Sequence, residues 1–279
     1  MRESHLHFAQ AAAEIARAAG DILRERFGGE HAIDSKTNVN DVVSEMDKRS
    51  EAIVVGELTR RFPDHEVRAE EGSGPEGDGG ALYRWHVDPL DGTTNYLYGI
   101  PWFAVSIGLE RRDGPPEKRV VAAAVYNVML DEMFTAAIGE GAWCNGRRLA
   151  VTRVHDLDRA LLATGYPYWT KAHPETLVDN TARVLPRCRD LRRNGAAALD
   201  LAGVACGRFE GYFEEGVQSW DTAAGALLVR EAGGVVTDYD GGSVAIPTAH
   251  VLATNGRVHE PLISLLRERY RGGALAAGG

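Results

Sequence analysis

Two aspartates three residues apart, Asp88 and Asp91, flank Pro89 in the stretch WHVDPLDGTTNY at residues 85–96. Trp85 and Val87 share one face of an apolar run, so Asp88 falls on the opposite parity at a strand end. Pro89 has no N–H for a ladder and is expected to stop the strand there. Asp91 is then brought back toward Asp88, and the Leu90 carbonyl is left without a regular partner. Two converging carboxylates repel unless one is protonated or a cation lies between them. Oxygen-only ligands suit a hard cation such as Mg²⁺. Gly92, Thr93, Thr94 and Asn95 follow with backbone N–H groups and hydroxyls, as at a helix start, where anions bind. Cation ligands joined to an anion site describe a metal-bound phosphate. The same residues also describe an Asx-rich turn with no chemistry.

Three further segments supply acids. RAEEG places Glu70 and Glu71 at a strand end before the glycine-rich GSGPEGDGG, residues 72–80, and reads otherwise as an exposed acidic turn. SEMD at 44–47 matches a capping box, with Ser44 capping and Asp47 reaching back. Asp221 opens a helix in SWDTAAGALLVREAGG, where a lone acid ordinarily compensates the helix dipole. Competing phosphatase chemistries fit poorly. The haloacid-dehalogenase type needs aspartates two apart, and DPLDGT has one residue more. A cysteine-dependent type needs an arginine six residues after its cysteine, where Cys144, Cys188 and Cys206 have Ala150, Asn194 and Tyr212. No phosphate-binding G-x-x-x-x-G-K-[ST] loop occurs.

The elements that must position these groups are legible from periodicity. Three-and-four spacing of Ala12, Ile15, Ala16, Ala19, Ile22, Leu23 and Phe27 predicts a helix over 5–27, ended by Gly28-Gly29. A second helix is expected from Ser44 to before Pro63. Strands are expected in HEVRAE and YRWHV, then an antiparallel hairpin of FAVSIGLE and RVVAAAVYN, then strands and turns to about residue 150. Beyond that, ALLATG, FEGYFE and VLATN read as strands. They alternate with helices over 173–187, in NGAAALDLAGVACG, in WDTAAGALLVREAGG and near 259–270. The chain divides into an α+β half over 1–149 and a smaller α/β half over 150–271. A disordered tail is expected over 272–279. His86 is not forced inward by its parity, and His250 and His259 read as surface residues.

The chain has 279 residues, 44% of them hydrophobic and 25% charged, with a net charge of −9. That charge argues against nucleic acid as the main partner, because backbone binding relies on a basic face. It is compatible with a small phosphorylated metabolite if a cation is present. Three scattered cysteines without a C-x-x-C pair read as reduced thiols. The sequence shows neither a signal-peptide pattern nor a membrane-spanning apolar run, so a cytoplasmic location without a membrane partner is expected.

Taken in order, DVVSEMD at 41–47, EEG at 70–72, WHVDPLDGTTNY at 85–96 and WDTAAGALLVREAGG at 220–234 resemble the inositol monophosphatase family of Mg²⁺-dependent, lithium-sensitive phosphatases. The resemblance runs from about Lys36 to Asn255. It implies a layered α-β-α-β-α sandwich, with an antiparallel sheet in the first half and the site where the halves meet. It further implies two or three Mg²⁺ ions held by Glu70, Asp88, the Leu90 carbonyl, Asp91 and Asp221. Asp47 and Thr93 would polarise the attacking water, and Glu70 would help hold a third ion through water. Gly92, Thr93 and Thr94 would bind phosphate. Glu214, Gly195, Ala196 and Ala197, with Asp200 beside them, would meet the substrate. Ala69, Tyr98 and Ala196 depart from the common pattern, which bears on affinity rather than chemistry. A homodimer, and a lid over 72–80, are expected on the same basis. Inositol monophosphate leads the substrates, followed by fructose 1,6-bisphosphate and histidinol phosphate, then 3′-phosphoadenosine 5′-phosphate. A non-catalytic module binding metal and phosphate is the alternative of a different class.

Overall fold

Ser4 opens the first helix, its hydroxyl accepting the His7 N–H at 3.3 Å. This helix, α1 (His5–Arg26), turns Ala12, Ile15, Ala16, Ala19 and Leu23 inward, as the spacing predicts, and buries Phe8 as well. The computed structural model describes residues 4–29, 33–35, 42–74, 80–115, 118–166, 174–243, 246 and 249–272. Much of the glycine-rich 72–80 segment and nearly all of the 272–279 tail lie outside these residues, as does the side chain of Ser44.

Short antiparallel strands β1 (Ile33–Ser35) and β2 (Val42–Ser44) lead into α2 (Glu45–Arg61). A seven-stranded sheet then follows chain order: β3 (Glu66–Ala69), β4 (Tyr83–Asp91), β5 (Ala104–Arg111), β6 (Val120–Asn127), β7 (Glu132–Ala137), β8 (Gly141–Cys144) and β9 (Arg147–Arg148). Every neighbouring pair is antiparallel except β3 with β4, which is parallel. Between β4 and β5 lies the one-turn helix α3 (Thr93–Leu97).

The second sheet is mixed, in the order β11 (Asp190–Arg192), β10 (Leu161–Thr164), β12 (Gly211–Glu215), β14 (His250–Thr254), β13 (Val235–Thr237). Strand β10 pairs parallel with β11 and β12, and β14 pairs antiparallel with β12 and β13. Its helices are α4 (Pro174–Val184), α5 (Ala197–Ala205), α6 (Ser219–Glu231) and α7 (His259–Gly272).

Three apolar clusters stack these elements into five layers. The first joins α1 and α2 to one face of the large sheet, with Trp85, Val87, Ile107 and Leu109 between them. The second fills the space between the sheets, where α5 and α6 lie. The third packs α7 through Leu262, Ile263 and Leu266 on the far face of the small sheet. The order α-β-α-β-α is the one the resemblance implied. Among the described residues, no helix is long and apolar enough to cross a membrane.

Candidate active site

Strand β4 brings the central acids into the interior. Its register against β5 is regular from Tyr83 opposite Arg111 to Asp88 opposite Ser106, then resumes at Asp91 opposite Ala104. Pro89 and Leu90 therefore face the single residue Val105, which is a β-bulge. This corrects the expectation that Pro89 ends the strand. A bulge asks for no ladder N–H, so proline is accommodated and the strand continues to Asp91.

Asp88 and Asp91 end up 2% and 7% exposed. The Leu90 N–H donates to Asp88 Oδ1 at 3.0 Å, so an Asx turn is present within the acidic stretch. The Thr93 hydroxyl lies 3.1 Å from the Leu90 carbonyl. That hydroxyl is closer still to Asp47 Oδ1, at 2.7 Å, and its single proton serves one acceptor at a time. Gly92 makes this approach possible. Its φ is +93°, and a Cβ there would sit 3.0 Å from the Trp102 carbonyl and 3.3 Å from Ala196 Cβ.

The charges are arranged unfavourably unless a cation joins them. Burial pushes the Asp88 carboxyl well above the usual range, and the charges of Glu70, Asp91 and Asp221 push it further. Asp91 is raised in the same way, by burial first and then by Asp221. No basic side chain is among the groups acting most strongly on either. Glu70 and Asp221 are half-buried. An all-oxygen, acid-rich set fits a hard divalent cation.

Two of these acids are also structural. Asp91 accepts the Ala197 N–H at 3.0 Å on one oxygen and the Ala198 N–H at 2.8 Å on the other, which caps α5. Asp221 accepts the Gln218 N–H at 2.6 Å in a capping box at the start of α6. Among the described residues, no three acidic, His or Cys side chains already converge closely enough to hold an ion. Each of these carboxylates keeps lone pairs that the caps do not use.

The segment expected to meet substrate is tied to the same place. Asn95 on α3 donates to the Trp102 carbonyl at 2.7 Å and to the Asn194 carbonyl at 2.8 Å, joining the two halves beside Gly195 and Ala196. Asn194 in turn donates to the buried Asp200 at 2.6 Å. Burial pushes the Glu214 carboxyl up to about 7, against the Tyr212 hydroxyl bond and the Arg193 charge. Thr93 is buried and Thr94 exposed.

Four polar side chains are more deeply buried than their sequence positions suggest. His86 is 3% exposed, with Nδ1 2.9 Å from the Ser219 hydroxyl and Nε2 3.3 Å from Glu110. It therefore joins the large sheet to the start of α6. A neutral ring with its proton on Nε2 satisfies both partners. His259 is likewise buried, between Thr237 and Thr254 at 3.1 and 2.9 Å, which corrects its assignment to the surface. Ser50 and Glu51, on the face of α2 that carries Asp47, are wholly buried and were not singled out by sequence. Their three-and-four spacing from Asp47 was the available signal.

Comparison with known proteins matches the chain to the inositol monophosphatase family model over residues 5–271. It is 40% identical over 258 residues to the Nus factor SuhB of Escherichia coli K12, covering 92% of this chain and 94% of that protein. To the inositol-1-monophosphatase of Synechocystis it is 39% identical, covering 92% and 88%. Among solved structures, SuhB from Bartonella henselae superposes with a TM-score of 0.85 at 38% identity over 93% of this chain and 98% of that one. Inositol monophosphatase from Anabaena gives 0.81 at 38% over 94% and 96%.

Proposed function

Because the chain belongs to the inositol monophosphatase family, we propose that it is a Mg²⁺-dependent phosphomonoester hydrolase. Its substrate would be inositol monophosphate or a similar small polyol phosphate. The observation that carries this reading is the acid cluster on the β4 bulge. Asp88 and Asp91 are buried together, with Asp221 acting on both, Glu70 acting on Asp88, and no basic side chain among the groups acting most strongly on either.

Glu70, Asp88, the Leu90 carbonyl, Asp91 and Asp221 would hold Mg²⁺. When bound, the ion supplies neutralisation of the phosphate dianion, a lowered pKa for water and stabilisation of the leaving alkoxide. The chain's own residues do the rest. Asp47 accepts a hydrogen bond from the Thr93 hydroxyl at 2.7 Å, so the hydroxyl oxygen faces incoming water as an acceptor. Thr93 and the amides around Gly92 and Thr94 orient the phosphate for in-line attack. Glu214, poised near neutrality, exchanges hydrogen bonds with substrate hydroxyls, and the Gly195–Ala197 backbone lines the opposite side.

The E. coli relative, a Nus factor, favours a second reading, a role of that kind that does not depend on hydrolysis. Phosphate release separates the two. Inositol 1-phosphate, fructose 1,6-bisphosphate, histidinol phosphate and 3′-phosphoadenosine 5′-phosphate would each be incubated with the protein in Mg²⁺ and in chelator. Mg²⁺-dependent release establishes the hydrolase, and the preferred ester identifies the substrate. No release from any of the four favours the Nus-factor reading.

A further inference from the structure

Asp47, Ser50 and Glu51 lie on one face of α2, and none is more than 1% exposed. Each is bonded to a different part of the candidate site. Asp47 meets Thr93, as described. Ser50 donates to the Pro89 carbonyl at 2.7 Å, inside the bulge that separates Asp88 from Asp91. Glu51 accepts the Glu71 N–H at 2.7 Å, the Ser73 N–H at 2.9 Å and the Ser73 hydroxyl at 2.5 Å. Those donors belong to the turn directly after Glu70, whose own N–H donates to the Val87 carbonyl at 3.1 Å, one residue before Asp88.

We propose that Ser50 and Glu51 are positioning residues that hold the Glu70 turn and the Asp88–Asp91 bulge at the separation Mg²⁺ binding requires. The inference rests on the hydrolase reading and deepens it. Glu70 follows the last residue of a short edge strand, and Gly72 in its turn has φ +80°, so the local sequence does little to hold it still. A carboxylate that accepts two backbone amides supplies strong, directional restraint. A bulge is similarly poorly defined by its own ladder, and the Ser50 hydroxyl ties it to the helix. One rigid helix thus sets two ligand-bearing segments against each other before the ion arrives, which spares the ordering entropy at binding.

The test uses the full chain with Ser50→Ala, Ser50→Thr and Glu51→Gln. Mg²⁺ affinity is read by titration calorimetry, stability by thermal unfolding in chelator, and turnover by phosphate release. Glutamine turns an amide toward a backbone donor, so Glu51→Gln breaks the clamp with little change of shape. Supporting groups of this kind typically govern about 10–100-fold in metal affinity. Ser50→Ala and Glu51→Gln are therefore expected to weaken Mg²⁺ binding by about 10-fold or more. Ser50→Thr should restore it nearly to wild type, and substrate KM at saturating Mg²⁺ should hold. A residue that only filled the core would lower the unfolding temperature and leave Mg²⁺ affinity alone, and that outcome overturns the proposal. If Glu51→Gln does not fold, the Ser50 pair decides. A wild type that binds Mg²⁺ but hydrolyses nothing sinks the hydrolase reading, while calorimetry still decides the positioning role. A wild type that binds no Mg²⁺ sinks both.

Discussion

Replacing Gly108 with alanine tests whether the packing of α6 sets the site. Gly108 on β5 lies opposite His86, on the sheet face that α6 covers. A Cβ there would sit 2.9 Å from Ala223 Cβ and from the Ala224 nitrogen, where ordinary contact begins at 3.4 Å. These neighbours are helix backbone and a methyl group, which cannot swing aside, so α6 must withdraw by 3.4 − 2.9 = 0.5 Å or more. Overpacking of this size costs about 1–3 kcal/mol, or roughly 2–12 °C in unfolding temperature for a domain of this length. Asp221 is the third residue of α6, and Ser219, its first, is bonded to His86. Since a displacement of about 1 Å can cost about 10²-fold in rate, kcat/KM should fall at least about 10-fold. Gly56→Ala is the control. It sits exposed on α2 with nothing within 4 Å of a Cβ, and should stabilise by about 0.5–1 kcal/mol with unchanged kinetics. Thermal unfolding and Mg²⁺-dependent phosphate release would be compared across the three proteins. If Gly108→Ala unfolds as wild type does, the close approach is not rigid. If it loses stability but keeps full activity, the seating of α6 does not govern Asp221. Either result refutes the reasoning.

Asp88→Asn keeps an oxygen for the Leu90 N–H but removes a buried charge, so phosphate release should fall by roughly 10²-fold or more. Its unfolding temperature in chelator should rise above wild type. Wild type at 100 times its Mg²⁺ dissociation constant should gain about 2.7 kcal/mol, which the variant should lack; a full Mg²⁺ shift in the Asp88→Asn protein would contradict the ligand assignment. Glu214, with its folded pKa raised from 4.5 to about 7 by burial, binds its proton more tightly folded than unfolded. Its contribution to stability is thus lost as pH rises from about 4.5 through 7, by at most about 3 kcal/mol. Unfolding of Glu214→Gln followed by denaturant should show that slope removed, and an unchanged slope would place the carboxyl in water. His86→Phe strands the Ser219 hydroxyl and leaves Glu110 with Arg119 at 3.9 Å, so a loss of about 1–3 kcal/mol is expected in equilibrium unfolding, and none if the freed groups find water.

Much of the fold is legible in the chain because local periodicity and local burial coincide. The alanine-rich stripe of α1 and the apolar runs of β5 and β6 need no distant partner to be recognised, and the acids that crowd Asp88 come from three short, ordered motifs. What the chain alone does not reveal is decided by segments far apart in sequence. Pro89 reads as a strand end until β5 supplies the register that turns it into a bulge. His86 reads as indifferent to burial, and His259 as a surface residue, until Ser219 and Thr237 close over them. Ser50 and Glu51 look like ordinary helix residues, because their partners, the Pro89 carbonyl and the turn after Glu70, lie roughly 20 to 40 residues away. Local sequence carries hydrophobic period and turn chemistry, whereas the satisfaction of a buried polar group depends on whichever backbone the completed fold places beside it.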